Sequence, residues 1–87
     1  MIIIVRSKEF KKKFGIMSEK LKRKTLERIS IFVADQFDVI LNNHQLHGEY
    51  DGCRSINITG DLRLIYKKID AETYILLDLG NHHQLYD

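Results

Sequence analysis

The sequence contains no proline, one cysteine and no apolar run longer than Met1–Val5. A lone Cys53 excludes an internal disulfide framework and any cysteine-based zinc finger. The apolar start falls far short of the ~18 residues of a membrane span. It is followed by charge rather than preceded by it, the reverse of a secretory signal. No repeat, low-complexity tract or linker-like stretch interrupts the chain, so residues 1–87 read as one domain. Also missing are a glycine-rich phosphate loop, a serine-centred nucleophile elbow and a cysteine–histidine nucleophile pattern. The expected setting is the cytoplasm, with no membrane partner.

What is present suits a small globule. The 87 residues are 44% hydrophobic and 30% charged, enough to close one core without a staple. The net charge of +2 conceals an asymmetry, because residues 1–40 hold ten Lys/Arg against five acids and residues 41–87 hold four against seven. A basic half is the electrostatic footprint of a polyanion surface, although lysines are equally ordinary on a solvated helix face.

The β-branched start reads as a strand over residues 1–6. Ser7 suits the N-cap of a helix through residues 8–14, which Gly15 ends or bends, and Ser18 caps a second. In that helix Leu21, Leu26, Ile29, Val33, Phe37 and Ile40 form the apolar stripe, and the helix is expected to reach roughly Phe37. Residues 42–52 are polar and read as a connecting loop. Beyond it the period becomes two, predicting strands at 53–58, 61–69 and 73–79, with turns at Thr59-Gly60 and Asp70-Ala71-Glu72 and a tail from Asn81. The expected class is α+β: a strand, two helices and a three-stranded antiparallel meander, with both helices on one face of the sheet.

Four histidines stand where chain leaves that scaffold: His44 and His47 before the meander, His82 and His83 after it. Imidazole takes and gives protons at working pH, so such a cluster suits acid–base chemistry. The strand order decides whether the two pairs meet. Alone, His47 and His83 read as solvent-facing. A zinc site of His44, His47 and His82 lacks a helical His-x-x-x-His pair and a nearby cysteine, so no metal or other cofactor is expected. Arg54 and Arg63 flank the hairpin and suit a phosphate, or a paired carboxylate. Asp61 opens the strand after the hairpin or caps its turn. Tyr86 packs the tail or stacks on a base.

Three ordered segments carry a resemblance: Asn43-His44-Gln-Leu-His-Gly48, the run from Cys53-Arg54 through Asn57 and Asp61-Leu-Arg63 to Tyr66, and Gly80-Asn-His82-His-Gln-Leu-Tyr86. Together they are similar to the RelE/ParE toxin superfamily of bacterial toxin–antitoxin systems, most of all to its YafQ-like branch of messenger-RNA interferases. The resemblance implies a ribosome-dependent endoribonuclease that cuts mRNA and is neutralised by a cognate antitoxin protein. His44, Asp61 and His82 match the family pattern, Tyr86 stands for the usual Phe, and Arg54 and Arg63 match the superfamily arginines. Asn57 departs from it, occupying the place of a histidine; it donates hydrogen bonds but exchanges no proton.

On that resemblance His44 and His82 carry the protons, Asp61 orients a partner, Arg54 and Arg63 hold the phosphate, Asn57 hydrogen-bonds and Tyr86 stacks or packs. Lys11, Lys12, Lys13, Lys20, Arg23 and Lys24 then meet RNA backbone. The alternative is a relative without nuclease activity, a ParE-like gyrase-directed toxin or an antitoxin-binding remnant. A generic basic RNA-binding domain stands behind both.

Overall fold

Serine starts both long helices. In the computed structural model, which describes residues 1–86 without the Tyr86 side chain, β1 (Ile3–Arg6) leads into α1 (Lys8–Gly15) and α2 (Glu19–Ala34). Ser7 Oγ accepts from the Phe10 N–H at 3.0 Å, and Ser18 Oγ from the Leu21 N–H at 3.2 Å. The chain continues through β2 (His44–Gln45), β3 (Arg54–Asn57), β4 (Arg63–Lys68) and β5 (Thr73–Gly80) to α3 (His82–Tyr86). The expected meander forms, with β3–β4–β5 antiparallel. It lies within a five-stranded sheet of order β1-β5-β4-β3-β2, in which β1 runs parallel to β5. No described helix is long and apolar enough to cross a membrane.

The fold is α+β, with α1 and α2 packed on one face of the sheet. Phe10, Phe32, Leu41, Ile56, Ile58, Leu64, Tyr66, Tyr74, Leu76 and Leu79 are buried together there. The opposite face carries a smaller cluster of Leu46, Cys53, Ile65 and Leu85. Cys53 thus behaves as a small buried hydrophobe.

Five local expectations are corrected. The α2 stripe is rotated: Leu21 and Ile29 pack on the core as expected, but Thr25 and Phe32 are the helix's buried residues, while Leu26, Val33, Phe37 and Ile40 are exposed. A polar residue occupies the core here because the Thr25 hydroxyl donates to the Leu21 carbonyl at 2.8 Å. The helix also stops at Ala34, where Asp35 turns extended and its carboxylate accepts from the Phe37 N–H. Residues 42–52 contain the edge strand β2 and a 3-10 turn at Gly48–Tyr50, held by a Leu46 N–H bond to the Cys53 carbonyl. The tail from Asn81 begins α3. Asp61 stays in the hairpin turn rather than opening β4, because Thr59 Oγ1 accepts from the N–H groups of Asp61 and Leu62.

Among the described residues β1 pairs with Thr73–Leu76, and Ser7 continues along the same side of β5. Its N–H donates to the Leu76 carbonyl and its Oγ to the Leu77 carbonyl, so the start of α1 satisfies an otherwise open edge. Lys13 then reaches Asp78 at 2.7 Å. That hydrogen bond, opposed by burial, raises the ammonium pKa above its ordinary 10.5. A raised folded value means the stabilisation is complete below the unfolded pKa and is lost as pH rises through the folded one. Lys13→Met is therefore expected to cost about 1 kcal/mol at pH 7. In denaturant titrations the gap from wild type closes in strongly alkaline buffer; equal stabilities at pH 7 would contradict the pair's role.

Candidate functional site

Side chains alternate across a strand, and this rule sorts the candidate residues before any distance is considered. Asn57 lies directly across from Arg63, so both project from the α3 face of the sheet. Arg54, three residues earlier on the unbroken strand β3, projects from the other face, across from Tyr66. His44 lies across from Ser55, which places it on the α3 face with Asn57.

The chain enters β2 through Asn42, whose left-handed backbone (φ 47°) turns it onto the sheet edge. Asparagine tolerates this conformation better than most residues carrying a side chain. The Asn42 carbonyl pairs with His44 Nδ1 at 2.9 Å. A carbonyl only accepts, so Nδ1 carries the hydrogen, and in the neutral ring Nε2 is left as the bare acceptor.

His82 arrives on a different element. Asn81 and Gln84 cap α3 reciprocally: the Asn81 N–H donates to Gln84 Oε1 at 2.8 Å, and the Gln84 N–H to Asn81 Oδ1 at 2.9 Å. Gly80 allows this tight return, because a Cβ there would stand 3.0 Å from Gln84 Oε1 and 3.1 Å from Gln84 Cβ. Leu85 anchors the helix in the smaller core.

Arg63, half-buried at the start of β4, lies between Asn57 and Gly80, and its Nη1 donates to the Thr59 carbonyl at 3.1 Å. His44, His47, His82 and Arg63, with Asn42 and Leu46, line one open pocket of about 410 Å³. Three imidazoles and a guanidinium around one hollow can move protons beside an anionic group. On the same face, the Oδ1 of Asn57 and the Oγ of Ser55 are buried without a hydrogen-bond partner among the described residues.

Other candidates lie elsewhere. Asp61 lines a separate groove of about 580 Å³ with Lys12, Lys13, Leu21 and Thr59. Lys20, Arg23 and Lys24 line an adjoining hollow that shares Leu21 and Thr59 with it. Lys13 is committed to Asp78, while Lys11 is exposed on α1 outside both depressions. Arg54 donates through Nε to Asn43 Oδ1 at 2.8 Å and stacks over Phe37. The expected role of Tyr86 rests on a side chain outside the described residues. No group of three His, Cys, Asp or Glu among the described residues is arranged to hold a metal ion.

His47, expected to face solvent and without an assigned role, is exposed yet forms part of the pocket wall. Asn42 and Asn43, likewise without an assigned role, turn the chain and anchor it. The available signal was the asparagine preference for left-handed backbone.

The model of the family described as "Bacterial toxin of type II toxin-antitoxin system, YafQ" matches residues 3–87. The chain belongs to the YafQ toxin family. Its fold superimposes on YafQ from E. coli strain BL21(DE3) with a TM-score of 0.83 at 18% identity, covering 100% of both chains. It matches the structure of the E. coli DinJ-YafQ complex at 0.75 and 22% identity, again over 100% of both. A metal-bound toxin from Helicobacter pylori matches at 0.75 and 28% identity, over 99% of this chain and 100% of that one. No curated protein is a significant match to the sequence. Thr59, which lines both basic grooves of this YafQ-family chain, also holds Arg63 of the histidine pocket through its carbonyl.

Proposed function

We propose that this YafQ-family toxin is an endoribonuclease that cuts mRNA on the ribosome by attack of a ribose 2′-hydroxyl on the adjacent phosphorus. The observation that carries the reading is one pocket shared by His44, Arg63 and His82, which come from three separate elements. His44 is held with Nδ1 protonated, so its Nε2 accepts the 2′-hydroxyl proton. The oxygen attacks phosphorus, the P–O5′ bond breaks, and His82 delivers a proton to the departing 5′-oxygen. The products are a 2′,3′-cyclic phosphate and a 5′-hydroxyl. Arg63 stabilises the charge developing on the phosphoryl oxygens. Asn57 replaces a proton carrier with a hydrogen-bonding amide; it shares the α3 face with Arg63, but its Oδ1 is buried and it does not line the pocket.

The grooves along α1 and α2 suit the RNA backbone. Lys12, Lys20, Arg23 and Lys24 border them, and the shared Thr59 joins them to Arg63. Asp61, in the groove rather than the pocket, balances these cations. Attraction of this kind weakens steeply with salt. An antitoxin partner follows from the family, and the solved DinJ-YafQ complex supports it.

The test is addition of the purified protein to ribosomes programmed with a defined message. Cleavage with cyclic-phosphate 3′ ends is expected. An intact message on ribosomes carrying it in the decoding site would overturn the reading.

A further inference from the structure

We propose that Asn43, clamped by Arg54 from the opposite face of the sheet, is the positioning residue that holds the His44 imidazole in the pocket. The inference rests on the nuclease reading for its kinetic consequence, but its structural content stands apart from it.

The segment that presents His44 has little to hold it. β2 is two residues long, lies at the sheet edge, and both His44 and Gln45 are exposed. Such a strand has few contacts of its own to resist fraying. Asn43 supplies what the strand lacks. Its Oδ1 accepts from Arg54 Nε at 2.8 Å, and its Nδ2 donates to the Tyr66 hydroxyl at 2.7 Å and to the Gln36 carbonyl at 2.8 Å. One amide therefore ties β2 to β3, β4 and the turn after α2.

These partners are themselves held. Tyr66 is 1% exposed and lies edge-on to Phe32. Burial raises its pKa, so the phenol stays neutral and serves Asn43 as an acceptor. Gln36 Nε2 also donates to the Tyr74 hydroxyl, and the Arg54 guanidinium stacks over Phe37. Alternation then does the positioning. With Asn43 fixed into the α1–α2 face, His44 projects from the other face, where it meets Arg63 and His82. Asn42 completes the arrangement by accepting from Nδ1.

Arg54 accordingly acts through Asn43 and not on a phosphate. Lysine at 54 preserves the charge but has no Nε–H on a rigid planar head to meet Asn43. A displacement of about 1 Å at a reacting group costs on the order of 10²-fold in rate.

The experiment compares wild type, Asn43→Ala, Asn43→Asp and Arg54→Lys in two readouts. Histidine ring ¹⁵N spectra of the free protein are expected to show His44 shifted in all three variants and His82 unmoved. Kinetics on programmed ribosomes are expected to show kcat down by about 10²-fold in Asn43→Ala, with KM within twofold. Arg54→Lys is expected to fall between that variant and wild type. His44 signals that coincide with wild type in every variant would overturn the proposal. So would an Arg54→Lys defect confined to KM, the mark of a direct substrate contact. Should Asn43→Ala not fold, Arg54→Lys and Asn43→Asp carry the test. If wild type fails to cut RNA, the nuclease reading fails, and the ring spectra still decide whether Asn43 positions His44.

Discussion

Replacing either His44 or His82 with alanine lowers mRNA cleavage on programmed ribosomes by about 10²–10⁴-fold. Both side chains are exposed, so neither substitution opens a cavity and stability stays within about 0.5 kcal/mol of wild type. The loss is therefore one of chemistry. Because the two rings serve one displacement, at the attacking and departing oxygens of the same phosphorus, the double variant is expected to lose far less than the product of the single losses. Single-turnover rates on saturated ribosomes, with denaturant titrations as the folding control, provide the measurement. Two single variants that cut at the wild-type rate would remove the imidazoles from the mechanism.

Phe32→Ala is expected to cost about 3–5 kcal/mol of stability. Phe32 is 1% exposed and stands edge-to-face with Tyr66 at 4.7 Å and with Tyr74 at 5.4 Å between ring centroids. Each aromatic pair adds about 0.5–1.5 kcal/mol beyond the area buried. Small domains are stable by only about 5–15 kcal/mol, so this one truncation removes at least about a fifth of the margin. Urea unfolding should show a lower midpoint at an unchanged slope. A loss below about 1 kcal/mol would mean that the core closes around the gap. The consequence reaches the pocket, since Tyr66 both packs on Phe32 and accepts the Asn43 hydrogen bond.

Much of this architecture was legible in the chain. The serine caps, the change of hydrophobic period near residue 53 and the turn residues each act over a few positions, so they can be read locally. The rotated face of α2 was not legible. Threonine counts as polar in any periodic reading, and only the helix's own Leu21 carbonyl makes Thr25 acceptable in the core. Nor was α3, because its stability comes from the Asn81–Gln84 caps and from Leu85 packing beneath the sheet, with only five residues of helix.

The candidate site divides along the same line. The sequence by itself determined which chemical groups were at hand: histidines at the borders of a meander, an arginine on either side of its hairpin, and a basic half. It also determined that neighbouring residues on one strand must point to opposite faces. Tertiary structure decided which of these groups meet. Between Ile65 and Tyr66 the pairing of β4 with β5 slips by one residue, so Arg63 lies across from Gly80 and not Leu79. The backbone at that point returns as α3 and brings His82 to the pocket that His44 enters from the far edge of the sheet. Register between strands and the approach of distant segments depend on long-range packing, which no window along the chain contains.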